Sequence, residues 1–451
     1  MTTFTDNESD PSQIDVARVV VLVMLLALIS TLGGAVIGQT LQRFERGPLR
    51  LSADTVGTMA IILGIPAYIQ PFLGAGSDLF PIMGYRRRSY FIIGYVIEVI
   101  GYIIMARTQH LTYASLISIL LVIGFGGTLV SVSLNAVMVR IGNATGLFGT
   151  LLALQSLVPL LLGLTIAANV QAYSAQYLSI ETCALIVAGL LALRIPLAFL
   201  IPERPISHKG MSHEHRILSK QADKIQNRAN ITALAKTLLS PSLWVLLGYV
   251  FYLILTPGIN IQLYYFEKGY LLFNDYTIGL LVKWSSAGVL AGLLVFGILS
   301  RYLTMRSLVW GAFLMDCASY PAWYFMHGLW AARIILVITG FFGILYGMFL
   351  NTLAARATPK GLEGTIYSLI AAAIAFAGNL SNKLGTFLYD YFGPSSHHSI
   401  IHGWNMSLLV GFLFTVVAFI FIPFLPEWTK SNVPLKAAKE IERAELAEQK
   451  V

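Results

Sequence analysis

Long apolar runs, each interrupted by only a few polar residues, recur along almost the whole chain. A helix that crosses a bilayer needs about 20 apolar residues. Twelve runs qualify: 16–38, 54–76, 89–106, 113–139, 147–169, 178–201, 242–265, 276–300, 307–327, 332–356, 364–388 and 404–425. Pro66, Pro71, Pro159, Pro196, Pro257 and Pro321 fall within them. Membrane helices accept such kinks where neighbouring groups re-satisfy the freed backbone. The pattern predicts an all-α membrane protein with 12 transmembrane helices.

The longest polar interruption, residues 202–241, divides the runs six and six. The predicted organisation is therefore an N-terminal six-helix bundle (1–201), a cytosolic linker (202–241), a C-terminal six-helix bundle (242–425) and a cytosolic tail (426–451). The linker is too short for a catalytic domain and reads as a solvated tether. Its stretch from Glu214 to Leu239 has the alternative of a helix lying along the membrane surface. A weak internal repeat supports the division. Arg88-Ser89 opens the third helix and Arg306-Ser307 the ninth, and Glu98 and Asp316 each follow their serine by the same interval. Parallel six-helix repeats are the architecture of the major facilitator fold, with substrate sites near the bilayer midplane.

Composition narrows the function. Apolar residues make up 56% of the chain and charged residues 12%, against about a quarter charged in a soluble domain. A soluble enzyme of ordinary composition is excluded. The net charge of +8 does not indicate a nucleic-acid partner, because the basic residues sit mostly in alternate loops. With the N-terminus inside, 21 of 30 lysines and arginines fall in inner loops and tails. Six, including Lys268 and Arg333, fall in outer loops, and Arg194, Lys283 and Lys383 lie at membrane depth. This bias predicts cytoplasmic termini and a multi-pass plasma (inner) membrane protein. Residues 1–15 are polar and acidic and do not read as a cleavable signal peptide. Cys183 and Cys317 fall inside apolar runs and read as small buried hydrophobes. The histidines of the linker and of the last outer loop lack partners at metal-ligand spacing, and no phosphate-binding loop is present. The expectation is no catalytic residue, no metal and no cofactor.

Two loop motifs are more specific. Gly74 to Tyr90 reads GAGSDLFPIMGYRRRSY between two spans. A carboxylate, a Pro-Gly stretch and three arginines belong in water, and the arginines mark that side as cytoplasmic. Leu353 to Gly393 contains AAR-x-x-PKG-x-EGT between the tenth and eleventh runs, then N-x-x-x-x-LG and a closing FG. Both resemble the folate–biopterin transporter family of the major facilitator superfamily, whose first loop ends in a GYRRR-x-Y run. A weaker match starts at Thr256-Pro257. One departure stands out. Where the family pattern has an acidic residue in the fourth helix, this chain has SLNAVMVRIG, with Asn135 and Arg140.

The resemblance implies a secondary active transporter working by alternating access on a small organic anion, folate or pterin first. It also implies that helices 1, 4, 7, 10 and 2, 5, 8, 11 line the cavity. Polar residues inside membrane helices are costly and are functional candidates by default. On cavity helices these are Asn135, Gln155, Asn260, Gln262, Lys283, Asn351, Asn379, Asn382 and Lys383. The two lysines suit an anionic substrate and the amides a heterocycle. Asp78, Gly84, Arg86, Arg87 and Arg88 are read as an inner gate, since charge-assisted contacts made in one state only shift a conformational equilibrium. Glu98, Glu181 and Asp316 are candidate proton-coupling groups, because a carboxylate shielded from water can change protonation state near neutral pH. A structural role, such as pairing with Arg194, is the other reading of these three. The expected partners are the substrate, the lipid bilayer and protons, with the protein a monomer. Two other readings stay open: a muropeptide or other amphiphile permease of the same superfamily, and a non-transporting sensor or pigment-assembly membrane protein.

Overall fold

The computed structural model describes residues 16–79, 82, 85, 87–145, 148–201, 241–299, 302–357 and 363–425. Among the described residues the chain is helical throughout, apart from loops and one isolated bridge between Ile82 and Tyr85. Twelve helical spans follow one another: α1 (Val16–Arg46), α2 (Ala53–Leu63, Ile65–Tyr68 and Gln70–Leu79), α3 (Arg88–Arg107), α4 (Tyr113–Thr145), α5 (Phe148–Leu162 and Ala168–Tyr177), α6 (Ile180–Ala192 and Arg194–Leu197), α7 (Pro241–Leu255 and Asn260–Gly269), α8 (Asp275–Leu299), α9 (Met305–Tyr324), α10 (Leu329–Ala357), α11 (Glu363–Tyr391) and α12 (Ile400–Val417). Among the described residues, ten of them are long and apolar enough to cross a membrane.

The chain divides into two compact units, Met1–Phe44 with Ile65–Gly210, and Glu45–Gly64 with Met211–Val451. The segment that ends α1 and opens α2 thus packs with the second unit. The first piece of α2 starts at a Ser52 cap whose side chain accepts from the Thr55 N–H, and it ends at Gly64. Pro66 follows immediately, where a proline cannot continue the backbone ladder.

In the first unit, α1 is held by polar contacts to α5 and α6. Arg43 donates to the carbonyls of Ala175 and Leu178, which close the C-terminal end of α5. A cation at a helix C-terminus satisfies carbonyls the helix cannot. Buried Arg194 of α6 donates to the Leu26 carbonyl at 2.8 Å and to Ser30 of α1, and lies over the Tyr95 ring of α3. Within α5, Pro159 cannot donate to the Gln155 carbonyl, and a π-helical turn follows at Gly163–Ala167. Glycines let α3 and α4 approach closely. A side chain at Gly94 would meet the Gly126 carbonyl, and one at Gly126 would meet that of Gly94. Packing through small residues is the usual means of joining helices in lipid, where apolar surface alone gives little drive.

The second unit has two apolar cores, one on each side of the interruption in α7. The first joins Tyr249, Val250 and Leu253 of α7 to Leu308, Val309 and Ala312 of α9 and to Phe349 of α10. The second joins Phe266 beyond the interruption to Trp323 of α9, Leu336 of α10 and Trp404 and Leu408 of α12, with Ala53 of α2 included. Phe266 stacks on Trp404 at 4.2 Å between centroids. Close approach of α8 and α10 depends on Gly288, where a side chain would collide with the Val337 carbonyl.

Candidate functional site

The interruption of α7 is where the second unit gathers its polar groups. Pro257 has no N–H and disfavours helical backbone at Thr256 before it. The helix stops at Leu255 and resumes at Asn260. Open backbone inside a membrane must be satisfied by other protein groups or line a cavity. Here the freed groups have partners one by one. The Thr256 hydroxyl donates to the Leu253 carbonyl at 2.9 Å, the acceptor that Pro257 abandons. The Ser381 hydroxyl of α11 donates to the Thr256 carbonyl at 2.5 Å, and the Gly258 N–H donates to the Ser381 carbonyl at 2.8 Å. The Tyr320 hydroxyl of α9 donates to the Pro257 carbonyl at 2.7 Å, and the Gln262 amide to the Gly258 carbonyl at 3.2 Å. Gly258 is required by proximity: a Cβ there would lie 2.7 Å from Oδ1 of Asn382 and 3.0 Å from Oγ of Ser381.

Asp316 of α9 lies beside this knot. Its Oδ2 accepts from Thr415 of α12 at 3.1 Å and lies 3.4 Å from the Thr256 hydroxyl. One carboxylate therefore ties α9 to both α7 and α12. Gln262 is fully buried, and its Oε1 has no hydrogen-bond partner. An orphaned buried acceptor in a native structure calls for a reason, and this one lies one turn past the break, on the side chain whose amide N–H reaches the Gly258 carbonyl.

A second polar cluster joins α2 to α11. Lys383 is ion-paired with Asp54 and also donates to its carbonyl at 3.2 Å. The Asp54 N–H donates to Oδ2 of Asp390 at 2.8 Å. Two carboxylates therefore share this corner with one lysine. Gly57, one turn along α2, lies so close to α11 that a Cβ would be 3.1 Å from Cα of Lys383 and would overlap the Thr386 hydroxyl. Nearby, the Tyr265 hydroxyl donates to the Leu51 carbonyl at 2.9 Å, and Arg46 lies over the Tyr265 ring.

The substrate-binding residues expected from the sequence separate into groups. Gln262 and Asn382 lie at the α7 break, Asn260 is exposed where α7 resumes, and Lys383 faces Asp54 of α2 in the second cluster. Asn379 lies one turn before Lys383 on the same helix, part-buried. Lys283 is part-buried in α8. Asn135 and Gln155 belong to the first unit, where the Asn135 amide reaches Oγ of Ser131 at 3.5 Å. The side chain of Asn351 lies outside the described residues.

Of the gating residues, Gly84, Arg86 and the side chain of Asp78 lie outside the described residues. Arg87 precedes α3 and Arg88 opens it. Arg88 stacks over Phe199 at 4.2 Å and over Tyr85 at 5.2 Å. The Ser89 hydroxyl donates to the Ile82 carbonyl at 2.7 Å, and Ile82 and Tyr85 exchange backbone hydrogen bonds. Ile82 and Tyr85 are thus both tied to the start of α3.

The coupling candidates differ among themselves. Glu98 on α3 has a buried carboxylate oxygen without a partner and packs against Gly127 of α4. Asp316 holds the contacts given above. Glu181 lies in the first turn of α6, after the Ser179 cap, where a carboxylate complements the helix dipole. Sequence reading did not single out Asp54, Asp390, Glu45 or Glu267. The last two are buried acids near helix ends, where flanking charge disguises them.

Comparison with known proteins places this geometry. A family model described as "BT1 family" matches residues 35–442. A folate–biopterin transporter of Synechocystis sp. (strain ATCC 27184 / PCC 6803 / Kazusa) is 25% identical over 413 residues, covering 85% of this chain and 77% of that protein. Among solved structures, a D-xylose–proton symporter superposes with a TM-score of 0.67 at 14% identity, covering 92% of this chain and 99% of its own. A POT family transporter bound to 5-aminolevulinic acid gives 0.66 at 16% identity, with 91% and 96% covered. The nucleoside transporter NupG gives 0.62 at 14%, with 90% and 98% covered. These likenesses establish the major facilitator fold: twelve transmembrane helices in two six-helix bundles. The chain belongs to the BT1 family, the folate–biopterin family of multi-pass membrane transporters, and is a transporter rather than an enzyme.

Proposed function

We propose that this transporter is secondary active, works by alternating access, and carries a small organic anion of the folate or pterin type. The observation that carries the reading is the α7 break. Its freed backbone is tied to α9 and α11, the buried Gln262 acceptor is left without a partner, and the Asn382 amide of α11 lies against Gly258 of the same break. An amide acceptor of this kind suits the ring N–H and amino groups of a pterin. Lys283 on α8 supplies positive charge for the carboxylates of a folate. Asn135, Gln155, Asn351 and Asn379 complete the proposed set of polar side chains. Lys383 acts instead through its pairing with Asp54 in the conformation described. The relative from Synechocystis, named a folate–biopterin transporter, supports the substrate class.

The transporter is a proton symporter in this reading, with Glu98 and Asp316 as its coupling carboxylates; Glu181 is the weaker candidate because it sits in a helix first turn. Both termini are cytoplasmic, as the basic inner loops require, and the Asp78–Arg88 loop serves as the inner gate. The halves 1–201 and 242–425 are joined by the cytosolic linker 202–241, the tail 426–451 is cytosolic, and the protein acts as a monomer in the plasma (inner) membrane.

The test is uptake of labelled folate into proteoliposomes. Saturable uptake in the wild type that collapses in Lys283→Ala and in Gln262→Leu, with both variants still folded, is the expected result. Equal uptake by empty and protein-loaded liposomes overturns the proposal.

A further inference from the structure

Arg333 stands apart from both clusters. Sequence pattern sets it in a loop, but it lies inside α10, part-buried, four residues past the helix start. Its guanidinium lies over two indoles, that of Trp330 on its own helix at 4.6 Å and that of Trp284 on α8 at 5.6 Å. Both tryptophans keep exposed surface, 71% for Trp330 and 40% for Trp284. Among the described residues no carboxylate, carbonyl or hydroxyl accepts a hydrogen bond from Arg333.

That combination is unusual for an arginine at the edge of a membrane protein. Cation–π contact engages the face of a guanidinium and leaves its five N–H donors, which lie in its plane, unfilled. An arginine that merely snorkels to water has no need of a ring on each of two helices. The α8–α10 contact also fixes the two indoles relative to each other, because Gly288 lets α8 sit directly on the Val337 backbone. The fork is therefore pre-oriented, and an oxyanion that presents two oxygens side by side is the partner whose geometry it matches.

We propose that Arg333, held by Trp284 and Trp330, is an oxyanion-binding site that takes a carboxylate or phosphate group through two parallel N–H···O contacts. Two sources offer that chemistry. One is the carboxylate of the transported anion, which rests on the substrate class proposed above. The other is the phosphate of an anionic lipid.

The experiment has one arm for each source, using the full-length protein. In nanodiscs of pure phosphatidylcholine, calorimetry compares folic acid with pterin, which lacks a carboxylate. In the second arm, nanodiscs containing phosphatidylglycerol are used, and native mass spectrometry counts retained lipid. Arg333→Gln is expected to weaken folic acid binding by about 10- to 100-fold, the worth of a bidentate charge-assisted contact, while pterin binding is unchanged. Loss of retained phosphatidylglycerol in the variant assigns the site to lipid. Arg333→Lys keeps the charge without the fork and is expected to fall between wild type and Arg333→Gln, which separates recognition from simple attraction. Unligated thermal unfolding of both variants checks the fold. If Arg333→Gln matches the wild type in both arms, or the wild type retains neither ligand, the proposal is overturned. Folic acid binding and lipid retention that are both insensitive to Arg333 sink this site and leave the transport reading intact; lipid retention that needs Arg333, without folic acid binding, does the reverse.

Discussion

Replacing Lys383 with glutamine removes the cation paired with Asp54 from a corner that also holds Asp390. Two opposite charges about 4 Å apart attract by about 4 kcal/mol at an effective dielectric constant of 20. Exposed pairs measure only about 0.2–1 kcal/mol. The side chains of Asp54 and Lys383 are 34% and 24% exposed, between those limits. A coupling energy of about 1–2 kcal/mol follows. The single change Lys383→Gln is expected to cost more than Asp54→Asn, because it leaves two carboxylates facing each other without compensation. The double change Asp54→Asn with Lys383→Gln should therefore be more stable than the sum of the two single effects. The assay is thermal unfolding of the four proteins in one neutral detergent at low and high salt. Coupling should weaken at high salt without vanishing, since the pair is partly shielded. Additive effects, within about 0.3–0.5 kcal/mol of the sum, would refute the reasoning and make the pair an incidental contact.

Two further changes probe how closely the helices meet. Gly57→Ala should destabilise by about 1–3 kcal/mol through overpacking against α11, and the added change Thr386→Ala should recover part of that loss in thermal unfolding, since the hydroxyl is the nearest obstacle. Tyr320→Phe should cost about 1–3 kcal/mol by leaving the buried Pro257 carbonyl without its donor, while Tyr324→Phe on the exposed face of the same helix should be close to neutral in the same measurement.

Hydrophobic length carries most of this fold. Among the described residues ten helices are long and apolar enough to cross a membrane by themselves, so most of the spans can be located without tertiary information. The exact ends cannot. α1 runs on to Arg46, beyond its apolar stretch, because Arg43 finds carbonyl partners at the end of α5. The break in α7 was marked by Pro257, but its partners were not, since Ser381 and Tyr320 lie 125 and 63 residues away. Lys383 illustrates the same limit. Its sequence neighbourhood offers no acid one turn away on its helix, and it reads as a free cation until Asp54, 329 residues distant, is brought beside it. Arg333 was misplaced for a different reason. Charge alone sends an arginine to a loop, whereas two indoles let this one stay within the helix.

Counterflow tests the central claim most directly. Proteoliposomes loaded with unlabelled folate and diluted into labelled folate should accumulate label transiently above equilibrium, because a carrier that exposes one site to each side in turn exchanges substrate faster than it moves empty. Label that only drifts to equilibrium at the same rate with or without internal folate, in protein shown to be folded and inserted, would contradict the account.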